Sequence, residues 1–148
     1  MTTDSRVLGD IDQREVTDLY ARCAYAYDEA RPEAFAALYT EDGAFEVAGA
    51  EPVRGAAALA DLVRGAAERS PGTRHLVSNV LVRGTGDGAS GTAYVVALRV
   101  APPAVRLITI GRYDDEFART TDGWRIRRRR FTPFVRPGAV QATDCSGG

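Results

Sequence analysis

From residue 12 onward the apolar positions keep a helical period. Val16, Leu19, Tyr20, Cys23, Ala24 and Tyr27 fall on one stripe. Asp12 precedes them, with Glu15 three residues later, as in an N-terminal capping box. The spacing predicts a long amphipathic helix over about residues 12–30. Pro32 suits the first turn of a second helix, PEAFAALY, which stops before the turn EDG. AFEVA reads as a short strand. AAALADLVRGAAER, after Gly55, reads as a third helix with Ala58, Leu62 and Ala66 on one side and Leu59 and Val63 beside them.

Past residue 73 the period shortens to that of strands. RHLVSNVLVRG runs into TGDG, ASGTAYVVALRVA into PP, AVRLITIGRYDDEFART into TDG, and WRIRRRRFTPF closes the series. The glycine-containing turns mark hairpins. Helices first and a meander of long strands afterwards predict an α+β fold, with three N-terminal helices packed on a strongly curved, mostly antiparallel sheet. Gly91 and Gly111 are expected to mark bulges or bends. The 148 residues suit a single domain over 1–148, with a core at about 10–135 and a flexible tail at about 138–148.

Composition narrows the chemistry. All 19 basic residues are arginine, which excludes Schiff-base catalysis through lysine. A formal net charge of −1 gives no overall field favouring nucleic acid, and no apolar run reaches a membrane span. The start MTTDSRVLGD lacks the pattern of a secretory signal, so a cytoplasmic location is expected. Cys23 and Cys145 form no metal-binding or redox motif; Cys23 reads as a small core residue.

The order of elements, together with YAYDEARPEAFAALYTEDGAFE, RHLVSNV and GRYDDEFARTTDGWRIRRRRF, resembles the SnoaL-like branch of the nuclear-transport-factor-2-like cone fold. That branch includes scytalone dehydratase, bile-acid dehydratase, lindane dehydrochlorinase and polyketide cyclases. The resemblance covers roughly residues 10–135. It implies that Asp28, late in the first helix beside Tyr27, orients His75 at the start of the first long strand, and that His75 abstracts a proton. It places a dehydrochlorinase-type arginine at Arg129, five residues after Trp124. It also implies a homodimer formed through the open sheet face. The chain departs from these relatives at three points. The position matching a second histidine of scytalone dehydratase is near Val96, and that enzyme's second tyrosine falls where Phe45 and Val47 stand. The dehydrochlorinase lysine falls near Cys23. Neither scytalone nor lindane is therefore the expected substrate.

The residues themselves fit this chemistry. His75 is the only histidine, and an imidazole with pKa near ~6.5 serves as base or acid around neutrality. A carboxylate on one ring nitrogen fixes its tautomer. Such a pair suits removal of a proton beside a carbonyl, although a histidine can also pair a buried aspartate for structural reasons alone. Alternation places His75, Val77, Asn79 and Leu81 on one face, so Asn79 is a candidate donor to a substrate oxygen. Tyr20 and Tyr27 are candidate cavity donors, or plain core aromatics. In RIRRRR, alternation puts Arg128 and Arg130 on the face of Trp124 and Ile126, and Arg125, Arg127 and Arg129 on the other. RYDDEF on the neighbouring strand supplies carboxylates to pair with them. Arg129 is the candidate for binding a carboxylate or enolate oxygen.

Phe35, Leu38, Phe45, Leu59, Leu62, Val63 and Phe131 are expected to line an apolar cavity suited to a hydrophobic small molecule. No phosphate loop or metal-ligand cluster occurs, so no metal and no cofactor is implied, and neither nucleic acid nor membrane is an expected partner. The expected function is a lyase, isomerase or cyclase acting on a hydrophobic carbonyl compound. The alternatives are a cyclase whose cavity only folds its substrate, and a non-catalytic binding or structural module.

Overall fold

The apolar stripe that begins at Val16 becomes helix α1, Asp10–Asp28, in a computed structural model that describes residues 7–136. The expected tail and Cys145 lie outside the described residues. Val16, Leu19, Tyr20 and Cys23 are buried along α1, as their spacing predicts. The helix starts two residues earlier than the capping pattern indicated, with Gly9 as its cap. Asp12 has a different task. Its Oδ1 accepts a hydrogen bond from Trp124 Nε1 at 3.1 Å and pairs with Arg119, which also stacks on the Trp124 ring. The Trp124 bond, with help from Arg119, holds the Asp12 carboxyl below the usual carboxylate range. This polar clasp ties the start of α1 to the final strand.

Helix α2, Pro32–Ala36, is shorter than its apolar pattern suggested. Strand β1, Tyr39–Val47, takes over where the helix was expected to continue. Tyr39 pairs with Ile126, and this long-range register outweighs local helix preference. A two-residue strand β2, Val53–Arg54, was not foreseen; it pairs antiparallel with β1 and leads into α3, Gly55–Arg69. The long strands follow as expected: β3, Thr73–Thr85; β4, Gly88–Ala101; β5, Ala104–Thr120; β6, Gly123–Pro133.

The sheet runs β2-β1-β6-β5-β4-β3, antiparallel except where β1 lies parallel to β6. The three helices cover one face of this curved sheet, and the buried core lies between. Gly91 and Gly111 sit at no register shift, so neither marks a bulge. Both make room for a neighbour instead. A Cβ on Gly91 would stand 2.5 Å from the Tyr20 hydroxyl, and one on Gly111 would stand 2.4 Å from the Thr132 carbonyl oxygen.

Two bulges matter more for the site, because a single extra residue turns every later side chain to the opposite face. In β3, Ser78 pairs with Tyr94 but Leu81 pairs with Thr92, so one residue is surplus. Asn79 has φ of 56° there, a left-handed conformation that asparagine tolerates. His75 and Val77 face the helices before the bulge, and Val80 and Val82 face them after it; Asn79 and Leu81 are exposed. In β6, Glu116 pairs with Arg128 and Phe117 with Ile126, leaving Arg127 surplus. Trp124 and Ile126 therefore share the inner face with Arg129, while Arg128 and Arg130 are exposed. Among the described residues, no helix is long and apolar enough to cross a membrane.

Candidate functional site

Asp28 is the last residue of α1, where a negative charge meets the negative end of the helix dipole. Two hydrogen bonds from β3 compensate. The His75 backbone N–H donates to Asp28 Oδ2 at 2.7 Å, and His75 Nδ1 lies 2.6 Å from Oδ1. With the carboxylate ionised, Nδ1 carries the proton and Nε2 is left bare. The side chains are only 6% and 16% exposed for Asp28 and His75. The ring is also held from the side: the Tyr27 edge meets it with centroids 4.9 Å apart and planes at 77°. Phe35 in turn packs edge-on against Tyr27 at 5.6 Å. Burial pushes the Tyr27 phenol up, so it is a neutral donor.

These groups open on a cavity of about 90 Å³. Its wall includes Tyr20, Tyr27, Phe45, Leu62, His75 and Arg129, so six of the eight expected site residues meet at one space. Asp28 stands behind His75 as its hydrogen-bond partner. Asn79 is not part of the wall, because the β3 bulge turns it outward. Of the expected apolar lining, Phe35, Phe45, Leu62 and Phe131 face the space; Leu38, Leu59 and Val63 pack in the core instead. Val95 and Ala97 supply the wall from β4, and Val96 between them points to the other side of the sheet.

Arg129 is held in a way the sequence did not show. Its Nε donates to both oxygens of Asp115, at 3.0 and 3.1 Å, and its Nη2 donates to Oδ2 at 2.7 Å. The side chains are 4% and 0% exposed. The guanidinium lies 4.2 Å from the Tyr113 ring centroid and 5.1 Å from that of Tyr20. Burial acts against the charge on both partners. It pushes the Asp115 carboxyl up against the pull of Arg129, while the guanidinium, braced by Asp115, stays protonated.

Tyr39, Cys23, Thr109 and Tyr113 also line the cavity and were not on the expected list of site residues. Tyr39 was read as the end of a helix. Tyr113 carries the alternation of β5, which is the one sequence feature that marks it as inward-facing.

A family model for the SnoaL-like domain matches residues 11–130. A comparison with curated proteins found no match. Among solved structures, the chain is similar to a nuclear-transport-factor-2-like protein with a cystatin-like fold from Novosphingobium aromaticivorans. The identity is 27% and the TM-score 0.77, over 88% of this chain and 86% of that one. It is also similar in fold to a candidate scytalone dehydratase from the same organism, at 22% identity and TM-score 0.75 over 89% and 91% of the two chains. Aln2 from a Streptomyces species has the same fold at 23% identity and TM-score 0.77, over 86% and 94%. The helices on a curved sheet, the cavity they enclose and the matched span lead to one conclusion: the chain belongs to the SnoaL-like domain family of the nuclear-transport-factor-2-like superfamily.

Proposed function

We propose that the protein is a lyase, isomerase or cyclase that removes a proton beside a carbonyl group of a hydrophobic small molecule, with His75 as the base and Asp28 as the group that orients it. The observation that carries this reading is the two-point clasp of Asp28 on His75 at the edge of an apolar cavity. Fixing Nδ1–H on a carboxylate leaves Nε2 free to accept a proton and stabilises the imidazolium that results. Tyr27 buttresses the ring and donates to the substrate from the same side. Phe45, Leu62 and the β4 wall exclude water from the reacting carbon. The kinship with a candidate scytalone dehydratase is in keeping with a dehydration or rearrangement initiated in this way.

The reading is tested without knowing the natural substrate. Small cyclic ketones, from cyclohexenone to tetralone, are incubated with the protein in heavy water and the mass of the recovered ketone is followed. Deuterium is expected at the carbon next to the carbonyl faster than in buffer, and the excess is expected to vanish in His75→Ala. Excess exchange that survives this substitution removes His75 as the base.

We also propose that two copies pair through the uncovered sheet face. Leu76, Val96 and Ile110 form one row across three strands there, and Tyr94 and Phe134 stack beside them at 5.7 Å. Leu76, Tyr94 and Phe134 are all exposed, and such a contiguous apolar patch marks an association surface. A second copy presents the same row. Sedimentation velocity is expected to show a dimer that becomes a monomer in Leu76→Asp; a wild-type monomer contradicts the pairing.

A further inference from the structure

One end of the cavity is rimmed by positive charge that the chain does not balance. His75, Ala97 and Thr109 form a row across β3, β4 and β5, and all three line the cavity. The next row on that face, toward the β4–β5 turn, is Thr73, Arg99 and Arg106; Ile108, surplus at a further bulge, brings Arg106 opposite Arg99. Directly opposed residues have Cβ atoms about 5 Å apart, and like charges so placed repel. On the other face of the sheet Arg112 and Arg128 are met by Asp114 and Glu46, at 3.0 and 2.9 Å, whereas Arg99 and Arg106 form no hydrogen bond or ion pair among the described residues. They are the only charged residues in the stretch 98–108, whose outer face exposes Val100, Val105 and Leu107. A third arginine approaches from the helices. Arg69 ends α3 and folds back over Gly65, where a Cβ would stand 2.6 Å from its Nη1. Of the charges acting on the Tyr27 phenol at the cavity wall, that of Arg69 is the strongest. The Thr73 hydroxyl, bonded to the Ser70 carbonyl at 2.8 Å, ties the end of α3 to the Arg99 row.

The carboxylates beside the cavity are already engaged, Asp28 by His75 and Asp115 by Arg129. An anionic ligand supplies the counter-charge that the rim lacks, and a guanidinium fork matches the two oxygens of a carboxylate. We propose that Arg69, Arg99 and Arg106 form an anion-binding rim that receives a carboxylate of the substrate while its apolar body and carbonyl group fill the cavity at His75. The substrate class is accordingly a hydrophobic keto acid. The proposal rests on the reading of this cavity as the substrate site with His75 as the base. Rows two residues apart lie about 7 Å apart along a strand, so the carboxylate and the carbon facing His75 are separated by roughly the length of a fused two-ring system.

The probes are 1-tetralone-6-carboxylate and its methyl ester, which share the ketone and differ in charge. Binding of each is measured by equilibrium dialysis at low and at high salt, with the ester as the reference in every protein. Wild type is expected to prefer the acid by roughly 10-fold or more at low salt, and by less at high salt. In Arg99→Gln with Arg106→Gln the preference is expected to fall to about 2-fold or less. That variant relieves a like-charge contact on an exposed strand pair, so its denaturation midpoint is expected to equal or exceed that of wild type. Arg14→Gln with Arg22→Gln, exposed on α1, makes the same change in net charge and is expected to keep the preference. Equal affinity for acid and ester in wild type, or no binding of the acid, overturns the rim. So does a preference that survives Arg99→Gln with Arg106→Gln, or one that falls as far in the α1 variant. Deuterium exchange into both ketones without preference for the acid keeps the base and removes the rim. A preference that depends on Arg99 and Arg106, without exchange, keeps the rim and removes the base.

Discussion

Replacing His75 with alanine is expected to lower turnover by roughly 10²-fold or more while the protein stays folded. The size follows from what the ring does. A positioned base shares the proton in the transition state, and no other described side chain holds a bare ring nitrogen at the cavity wall. Water admitted to the vacated space is a weaker base and is not oriented. The fold survives because the ring is at the cavity edge, outside the buried cluster of Val16, Leu59, Val63 and Ile126. Asp28 loses its bond to Nδ1 but keeps the one from the His75 backbone N–H, which alanine also supplies. The checks are the initial rate of ketone exchange and the near-ultraviolet circular dichroism of both proteins. Unchanged turnover in a folded variant would move the account to a cavity that acts only by orienting its ligand. In that case enlarging the pocket at Phe45 or Leu62 is what changes the product.

The largest effect on stability is expected at Asp115. Asp115→Ala leaves the Arg129 guanidinium buried with no carboxylate, and breaking a buried pair in this way costs about 3–5 kcal/mol. The loss is one-sided. The pair offsets its own desolvation but adds little beyond that, so replacing both residues by apolar ones of similar volume, Asp115→Leu with Arg129→Met, is expected to restore most of the stability. Urea denaturation of the single and double variants measures this through the midpoint at constant slope. A single variant within about 1 kcal/mol of wild type would mean that the guanidinium finds water or another partner on its own. The double variant also removes Arg129 from the cavity. It is expected to be stable yet slower than wild type in ketone exchange, which separates the electrostatic role of the arginine from its part in folding.

The elements whose periods are long and clean were legible in the sequence: α1, α3 and the four long strands stand where apolar spacing placed them. The contact of Asp28 with His75 was legible only through the resemblance, since nothing in residue spacing brings the two together across 47 positions. What escaped was phase. Simple alternation carried Asn79 inward and set Arg129 apart from Trp124 and Ile126, and in both strands one surplus residue reversed the face. Each bulge had a trace in the chain. Val77 and Val80 are an odd number apart, as are Ile126 and Phe131, and both members of each pair face inward. Asparagine at the first bulge is a residue that accepts positive φ. In the second, a run of four identical arginines offers no contrast to locate the surplus. Tyr39 was missed for a different reason. PEAFAALY has helical composition, and only pairing with the distant β6 draws its last residue into a strand, where it lines the cavity.

Because the chain has one histidine, protein labelled with ¹⁵N in histidine alone reports a single imidazole. In the neutral form of that ring, Nδ1 is expected to carry the proton, bonded to Asp28, and Nε2 to be bare; in Asp28→Asn this preference is expected to weaken. A wild-type ring protonated on Nε2, or one whose two nitrogens average as they do for histidine free in water, would contradict the clasp on which the proposed chemistry stands.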